Sequence, residues 1–265
     1  MSKMKVWLDL GEPNTWDDYE AGTVTLTGVA EGQHTAHVKF MDSVGNASAA
    51  FDSESFIVDI TAPTGTVSCA PYTNSRNITV TLSASDDKSG IEVSGVAQMK
   101  VWENGTNEPA WETYAGTKSL ELSTGDGQKI INAKFRDAAG NEMTGTTTCS
   151  TVLDTDEPDV TLVLTKTDGT TQLPASVAAL GFNARIGRTN ETQDSPIVAY
   201  QLTGDFTGSS TDWITFTQDE NQDYMTVSGL QFTSGDGLKT ITALLKDEAG
   251  NISATGASVS VTLNS

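Results

Sequence analysis

The sequence predicts an all-β chain built from tandem sandwich modules, and three observations predict it. Met4-Lys5-Val6-Trp7 recurs as Met99-Lys100-Val101-Trp102, Trp16 as Trp111, Tyr19 as Tyr114, Asp42 as Asp137 and Gly45-Asn46 as Gly140-Asn141, each 95 positions on. A repeat of that length has the size of a small all-β domain. Short runs rich in Thr, Val, Ile, Leu and Tyr alternate with Gly, Asn and Asp clusters, and no window sustains a helical period. The turn signatures Gly125-Asp126-Gly127 and Asp137-Ala138-Ala139-Gly140-Asn141 return 110 positions later as Gly235-Asp236-Gly237 and Asp247-Glu248-Ala249-Gly250-Asn251. Both suit turns, because Gly and Asn tolerate positive φ and an Asp side chain accepts backbone N–H bonds from residues just ahead of it.

The first module, residues 1–60, opens partway through the repeat, since the stretch from about Ala62 to Gln98 that begins the second unit has no counterpart before Met4. The second, residues 61–155, reads as strands near Thr66 to Ala70, Asn77 to Ala84, Ala97 to Glu103, Lys118 to Leu122, Gln128 to Arg136 and Thr146 to Leu153. The third, residues 156–265, is 15 residues longer between matching turns, a spacing of 110 rather than 95, with much of the mismatch between about Thr170 and Pro196. Linkers fall at Val58 to Pro63 and Leu153 to Pro158 with hardly any slack, and proline fixes the local path. A semi-rigid rod of domains is the expectation.

Composition narrows the partners. The chain of 265 residues carries 35 acids against 15 Lys and Arg, a net charge of -20 spread along its length. Nucleic acid and anionic membrane surfaces need clustered basic residues and are not expected as partners. No apolar run approaches the roughly 20 residues of a membrane span, so no membrane insertion is expected. The opening Met1-Ser2-Lys3-Met4-Lys5 lacks the apolar core of a signal peptide.

Catalysis has little to work with. His34 and His37 stand at an odd spacing, which in a strand sends them to opposite faces, where they cannot easily clasp one metal. No Gly-x-Ser-x-Gly elbow, Cys-His pairing or phosphate loop is present, and the paired acids Asp17-Asp18 and Asp86-Asp87 sit beside turn residues as solvated loop acids do. The expectation is a non-enzyme with no catalytic, cofactor-binding or metal-binding residues. Calcium enters only as a structural ion at the junctions, where Asp59 stands at the first and Asp154, Asp156, Glu157 and Asp159 at the second. Trp7 and Trp102 share one repeat position, and Trp16, Trp111 and Trp213 another, as packing elements required by every copy of the fold do.

The run Ala62-Pro63-Thr64-Gly65, Tyr72-Thr73-Asn74-Ser75, Val80-Thr81-Leu82-Ser83-Ala84-Ser85-Asp86, Ser89-Gly90, Gln98-Met99, Trp111-Glu112-Thr113-Tyr114, Gly125-Asp126-Gly127 and Asp137-Ala138-Ala139-Gly140-Asn141 resembles the bacterial immunoglobulin-like tandem repeats. The resemblance covers the second module and the available part of the first, and in the third it is clear mainly from Trp213 onward. It implies immunoglobulin-like β-sandwiches, the first one incomplete, of the kind that serve as stalks in bacterial surface proteins and as parts of phage capsids, tails, baseplates and fibres. In such sandwiches the first and last strands can lie side by side, so Cys69 and Cys149 are open to a disulfide as well as to two free, half-buried thiols. The short, acidic chain without an evident leader points to a virion component made in the host cytoplasm. A stalk or adhesin fragment at the bacterial cell surface is the alternative.

The truncated module carries the specific expectation. An open sandwich exposes a sheet edge and an unfinished core around Met4, Val6, Trp7, Val24, Leu26, Val38 and Phe40, which is costly to leave bare. Two outcomes stand open: completion by a strand from another virion subunit within an oligomeric assembly, or closure by a smaller sheet of the chain itself. The third module would then face outward toward host-surface glycans or neighbouring subunits.

Overall fold

The computed structural model describes residues 1–86, 95–188, 195–219 and 223–265. The first module contributes β1 (Lys3–Leu8), β2 (Asp17–Asp18), β3 (Gly32–His34), β4 (Ala36–Met41), β5 (Phe51–Asp52) and β6 (Phe56–Val58). The second contributes β7 (Thr64–Ser68), β8 (Tyr72–Thr73), β9 (Asn77–Ser85), β10 (Val96–Glu103), β11 (Glu112–Thr113), β12 (Thr117–Glu121), β13 (Gly127–Asp137) and β14 (Thr147–Leu153). The third contributes β15 (Thr161–Thr165), β16 (Ser176–Val177), β17 (Gly181–Gly187), β18 (Ile197–Gly204), β19 (Ile214–Thr215), β20 (Tyr224–Gln231), β21 (Gly237–Asp247) and β22 (Ala257–Leu263). The chain is all-β: no helix occurs among the described residues, and hence none long and apolar enough to cross a membrane.

The second and third modules repeat one topology. A three-stranded sheet, β12-β9-β7 or β15-β17-β20, faces a five-stranded one, β11-β10-β13-β14-β8 or β16-β22-β21-β18-β19. In each, the chain leaves the first sheet after its opening strand and joins the second in parallel with the last strand, Tyr72 beside Val152 and Ser176 beside Thr262. That switch, with antiparallel pairing elsewhere, is the immunoglobulin-like arrangement. The first module has the counterpart of the larger sheet, in the order β2-β1-β4-β5, and a separate pair, β3-β6. Counterparts of β7 and β9 are absent from its described residues.

Contacts divide the chain into two compact units. One joins Met1–Ser68, Val80–Lys118 and Ile131–Cys149; the other joins Cys69–Thr79, Ser119–Ile130 and Ser150–Ser265. In the second unit, alternate residues of β15, β17, β18, β21 and β22 form one core: Leu162, Leu164, Phe182, Ile186, Tyr200, Leu202, Ile241, Leu245 and Leu263, all buried. This is the period-2 alternation that the sequence shows, one face inward and one outward. In the first unit the largest fully buried side chains, Val80, Ile131 and Phe135, all come from beyond residue 60.

Both cysteines are disulfide-bonded, and neither is free. The reading of two free thiols is therefore corrected. Spacing alone could not decide this, because a disulfide depends on which strands become neighbours, and that is a property of the folded sheet.

Candidate functional site

The candidate docking residues lie on the sheet β2-β1-β4-β5. Its antiparallel register sets Met4 opposite Phe40, Val6 opposite Val38 and Leu8 opposite Ala36, with Phe51 beside Val38. Cross-strand partners project to the same side, so Met4, Val6, Val38, Phe40 and Phe51 share one apolar face. Tyr19 closes edge-on against Phe40 with ring centroids 6.0 Å apart, and Phe51 tilts against Phe40 at 6.3 Å.

The other modules contain the same face in finished form. Met99 pairs with Phe135 and Val101 with Ala133; Tyr200 pairs with Leu245 and Leu202 with Ala243. These eight side chains are 0–6% exposed. In the second module Tyr114 meets Phe135 edge-on at 5.9 Å, repeating Tyr19 and Phe40. The cover there is visible: a Cβ at Gly65 on β7 would overlap the Phe135 ring, and the Tyr114 hydroxyl accepts the Ala84 N–H from β9. In the first module Met4 is buried, Val6, Val38 and Phe40 are half-buried, and Phe51 is 57% exposed. At about 1.5–3 kcal/mol for full burial of each large apolar side chain, completing this face would contribute several kcal/mol.

Trp7 does not join that face. It stands on the opposite side with Lys5 and Lys39, stacked on His37 at 5.3 Å, with Lys39 Nζ 5.9 Å from its ring. Trp16 is on that side too, under Lys5 Nζ at 4.8 Å, as Trp111 is under Lys100 at 4.6 Å and Trp213 under Lys246 at 6.0 Å. Each of these three tryptophans precedes a short edge strand, and each is half-buried beneath a lysine. A cation over an indole ring is a packing contact that the fold repeats. The two histidines have separate partners, Asp9 for His34 at 2.7 Å and Asp52 for His37 at 2.6 Å.

Val24 and Leu26 belong to a different element. They lie in Gly22–Gly28, which holds no strand, is exposed throughout, and makes no backbone hydrogen bond among the described residues. The segment sits between β2 and β3, the place taken by β12 between β11 and β13 and by β20 between β19 and β21. Those strands exist because β9 and β17 pair with them. Five consecutive residues of strand-forming type, Thr23-Val24-Thr25-Leu26-Thr27, therefore remain without a ladder.

The acids at the first junction form a group that the sequence did not suggest. Asp59, Asp86 and Asp137 are all buried, and one carboxylate oxygen from each lies within 4.8 Å of the others. Asp86 is thus not the solvated loop acid expected beside Asp87, which lies outside the described residues. Asp59 accepts the Thr61 N–H, Asp86 the Gly95 N–H, and Asp137 the Gly140 and Asn141 N–H groups and the Asn141 amide. Three hard oxygens are half or less of the six to eight that calcium takes. At the second junction Asp154 is buried against Ser195, whose N–H and hydroxyl it accepts, while Asp156, Glu157 and Asp159 are exposed. Those acids form no three-acid group among the described residues.

One role of the Asp-x-x-Gly-Asn turns was missed. Besides closing its own turn, the Asn141 side chain donates to the Asp59 carbonyl at 3.0 Å, and Asn251 donates to the Asp154 carbonyl at 2.8 Å. Each asparagine clasps the linker that precedes its module. The sequence carries no separate signal for it, because each asparagine also donates to the aspartate of its own turn, as Asn46 does to Asp42.

In the third module a cleft of about 490 Å³ is walled by Leu173, Pro174, Val177 and Ala178 between Lys166 and Gly181. It falls within the longer segment of that module and presents no aromatic platform on which a sugar would stack.

No protein-family model matches the chain, and no curated protein matches it. Among solved structures it is similar to the fibronectin(III)-like modules of Clostridium thermocellum CbhA, at 15% identity and a TM-score of 0.43, over 75% of this chain and 94% of that one. Similar too are chicken CNTN1 FN1-FN3 domains, at 11% identity and 0.42 over 100% and 91% of the two chains. A tetra-tandem repeat in the extending region of a large adhesion protein matches at 19% identity and 0.32 over 99% and 67%. At these scores the assignment to tandem immunoglobulin-like modules rests on the strand order itself.

Proposed function

We propose that this chain is a non-enzymatic structural and accessory protein of a virion, a capsid decoration, tail, baseplate or fibre component, whose modules serve assembly and weak surface adhesion. The observation that carries this reading is the contrast between two finished sandwiches and one whose apolar face is open. A finished module is a spacer, whereas an open apolar face is a surface on which a partner subunit can dock. Net charge of -20 supports solubility at high local concentration and disfavours nucleic acid as the partner. Neighbouring virion subunits are the partners of first choice, and host-surface glycans come second, for the third module.

The disulfide-bonded cysteines favour a second reading, a stalk or adhesin fragment on a bacterial surface, because such bonds persist in oxidising surroundings and are rare in the cytosol. Immunodetection in density-purified particles and in washed cell envelopes of the producing organism separates the two. Recovery with particles is expected. Recovery in the envelope alone would replace the virion reading with the surface one.

A further inference from the structure

Ten of the sixteen exposed large apolar side chains among the described residues fall between Met1 and Ile60, so exposure is concentrated in one module rather than scattered. Two features of that module coincide. One is the apolar face of Met4, Val6, Val38, Phe40 and Phe51. The other is the exposed run Thr23–Thr27, with no ladder partner and the composition of a strand.

The same chain shows twice what belongs there. In the second module β9 pairs with β12, the counterpart of Thr23–Thr27, and brings buried Val80 and Leu82 inward. In the third, β17 pairs with β20 and brings Phe182, Ala184 and Ile186 into one core with Tyr200, Leu202, Ala243 and Leu245. A strand added at this position meets both requirements at once: its main chain satisfies the open edge, and its alternate side chains fill the face.

We propose that the first module binds an extended β-segment from outside residues 1–265, paired with Thr23–Thr27 and laid with alternate apolar side chains against Met4, Val6, Val38 and Phe40. The residues that enter the face have the size and spacing of Ile78, Val80 and Leu82 in β9. Residues 1–60 hold ten acids against three lysines, so the flanks of the donor are basic or neutral. The inference rests on the assembly reading and gives it a mechanism: this chain is the acceptor.

The probe is a synthetic peptide of the Asn77–Ser85 sequence with lysines at both ends, added to the full chain at micromolar concentration. Titration calorimetry should give saturable one-to-one binding. Hydrogen exchange of Thr23–Thr27 should slow at least tenfold, with β12 and β20 unchanged. Replacing the peptide positions that correspond to Val80 and Leu82 with Asp should abolish binding. In the chain, Phe40→Asp should do the same, and Thr25→Pro, which removes an exposed N–H and leaves the apolar face intact, should weaken binding at least tenfold. Absence of binding would overturn the proposal. So would slow exchange of Thr23–Thr27 in the free chain, or a dimer in which two open faces cover each other. Any of these, with the chain still recovered in particles, would leave the virion reading standing.

Discussion

At the scale of single residues, the first module carries two histidine–carboxylate pairs, His34 with Asp9 and His37 with Asp52. His34 Nε2 lies 2.8 Å from the Ala30 carbonyl and can only donate to it, while Nδ1 faces Asp9, so the ring is placed as the doubly protonated cation. Its pKa is raised above 6.5, first by the Asp9 carboxylate and then by the Ala30 carbonyl. Asp9, at a positive φ of 53°, is lowered first by the Thr35 N–H and then by His34. A raised histidine stabilises below its unfolded value and loses that contribution as pH rises through the folded value; the lowered aspartate acts oppositely, losing its contribution as pH falls below 3.8. NMR titration of the His34 ring should give a midpoint above 6.5, and His34→Gln should remove the decline in first-module stability through that range. The linker clasps are a second test. Asn251→Ala leaves the buried Asp154 carbonyl without this donor and should cost about 1–3 kcal/mol, whereas Asn46→Ala, at an exposed turn where the amide donates to Asp42 alone among the described residues, should cost about 0.5 kcal/mol or less in urea denaturation.

At the scale of strands, residues that favour extended backbone form a strand only where a partner pairs with them. Met4-Lys5-Val6-Trp7 and Met99-Lys100-Val101-Trp102 form strands in the same register with β4 and β13. Thr23–Thr27 forms none, although its residue types favour extended backbone, because a strand's hydrogen bonds lie outside itself. Burial follows the same logic. Phe135 is fully buried, and Phe135→Ala should destabilise by about 3–5 kcal/mol. Phe40 occupies the equivalent position half-buried, and Phe40→Ala should cost about 1 kcal/mol in the free chain. Chemical denaturation of both variants measures the difference directly, and equal costs would mean that the first-module face is already filled.

For the whole molecule, the single covalent cross-link acts on stability through the unfolded chain. Reduction, or Cys69→Ser with Cys149→Ser, should lower stability by about 2–5 kcal/mol, read as a drop in melting temperature with and without reductant. The net charge of -20 adds a diffuse term, since self-repulsion opposes compaction and is relieved by salt.

How much was legible depends on the distance over which each property is decided. The β-class, the 95-residue period, the turns at Asp42, Asp137 and Asp247 and the longer strands of the second module between Asn77 and Leu153 could be read directly, because alternation and turn chemistry are local and a repeat exposes itself by recurrence. Strand ends moved by a residue or two, as at β7, which runs Thr64–Ser68 rather than from Thr66, because pairing partners set them. Met4 and Val6 were correctly grouped with Val38 and Phe40, since a period of two assigns faces, but Trp7, one residue on, had to fall on the other side. The sequence by itself determined the module type and that residues 1–60 match only part of the repeat. Only the tertiary structure decided that Asp86 turns inward to Asp59 and Asp137, that the two cysteines meet oxidised, and which apolar face stays open, because each depends on surfaces brought together from positions far apart along the chain.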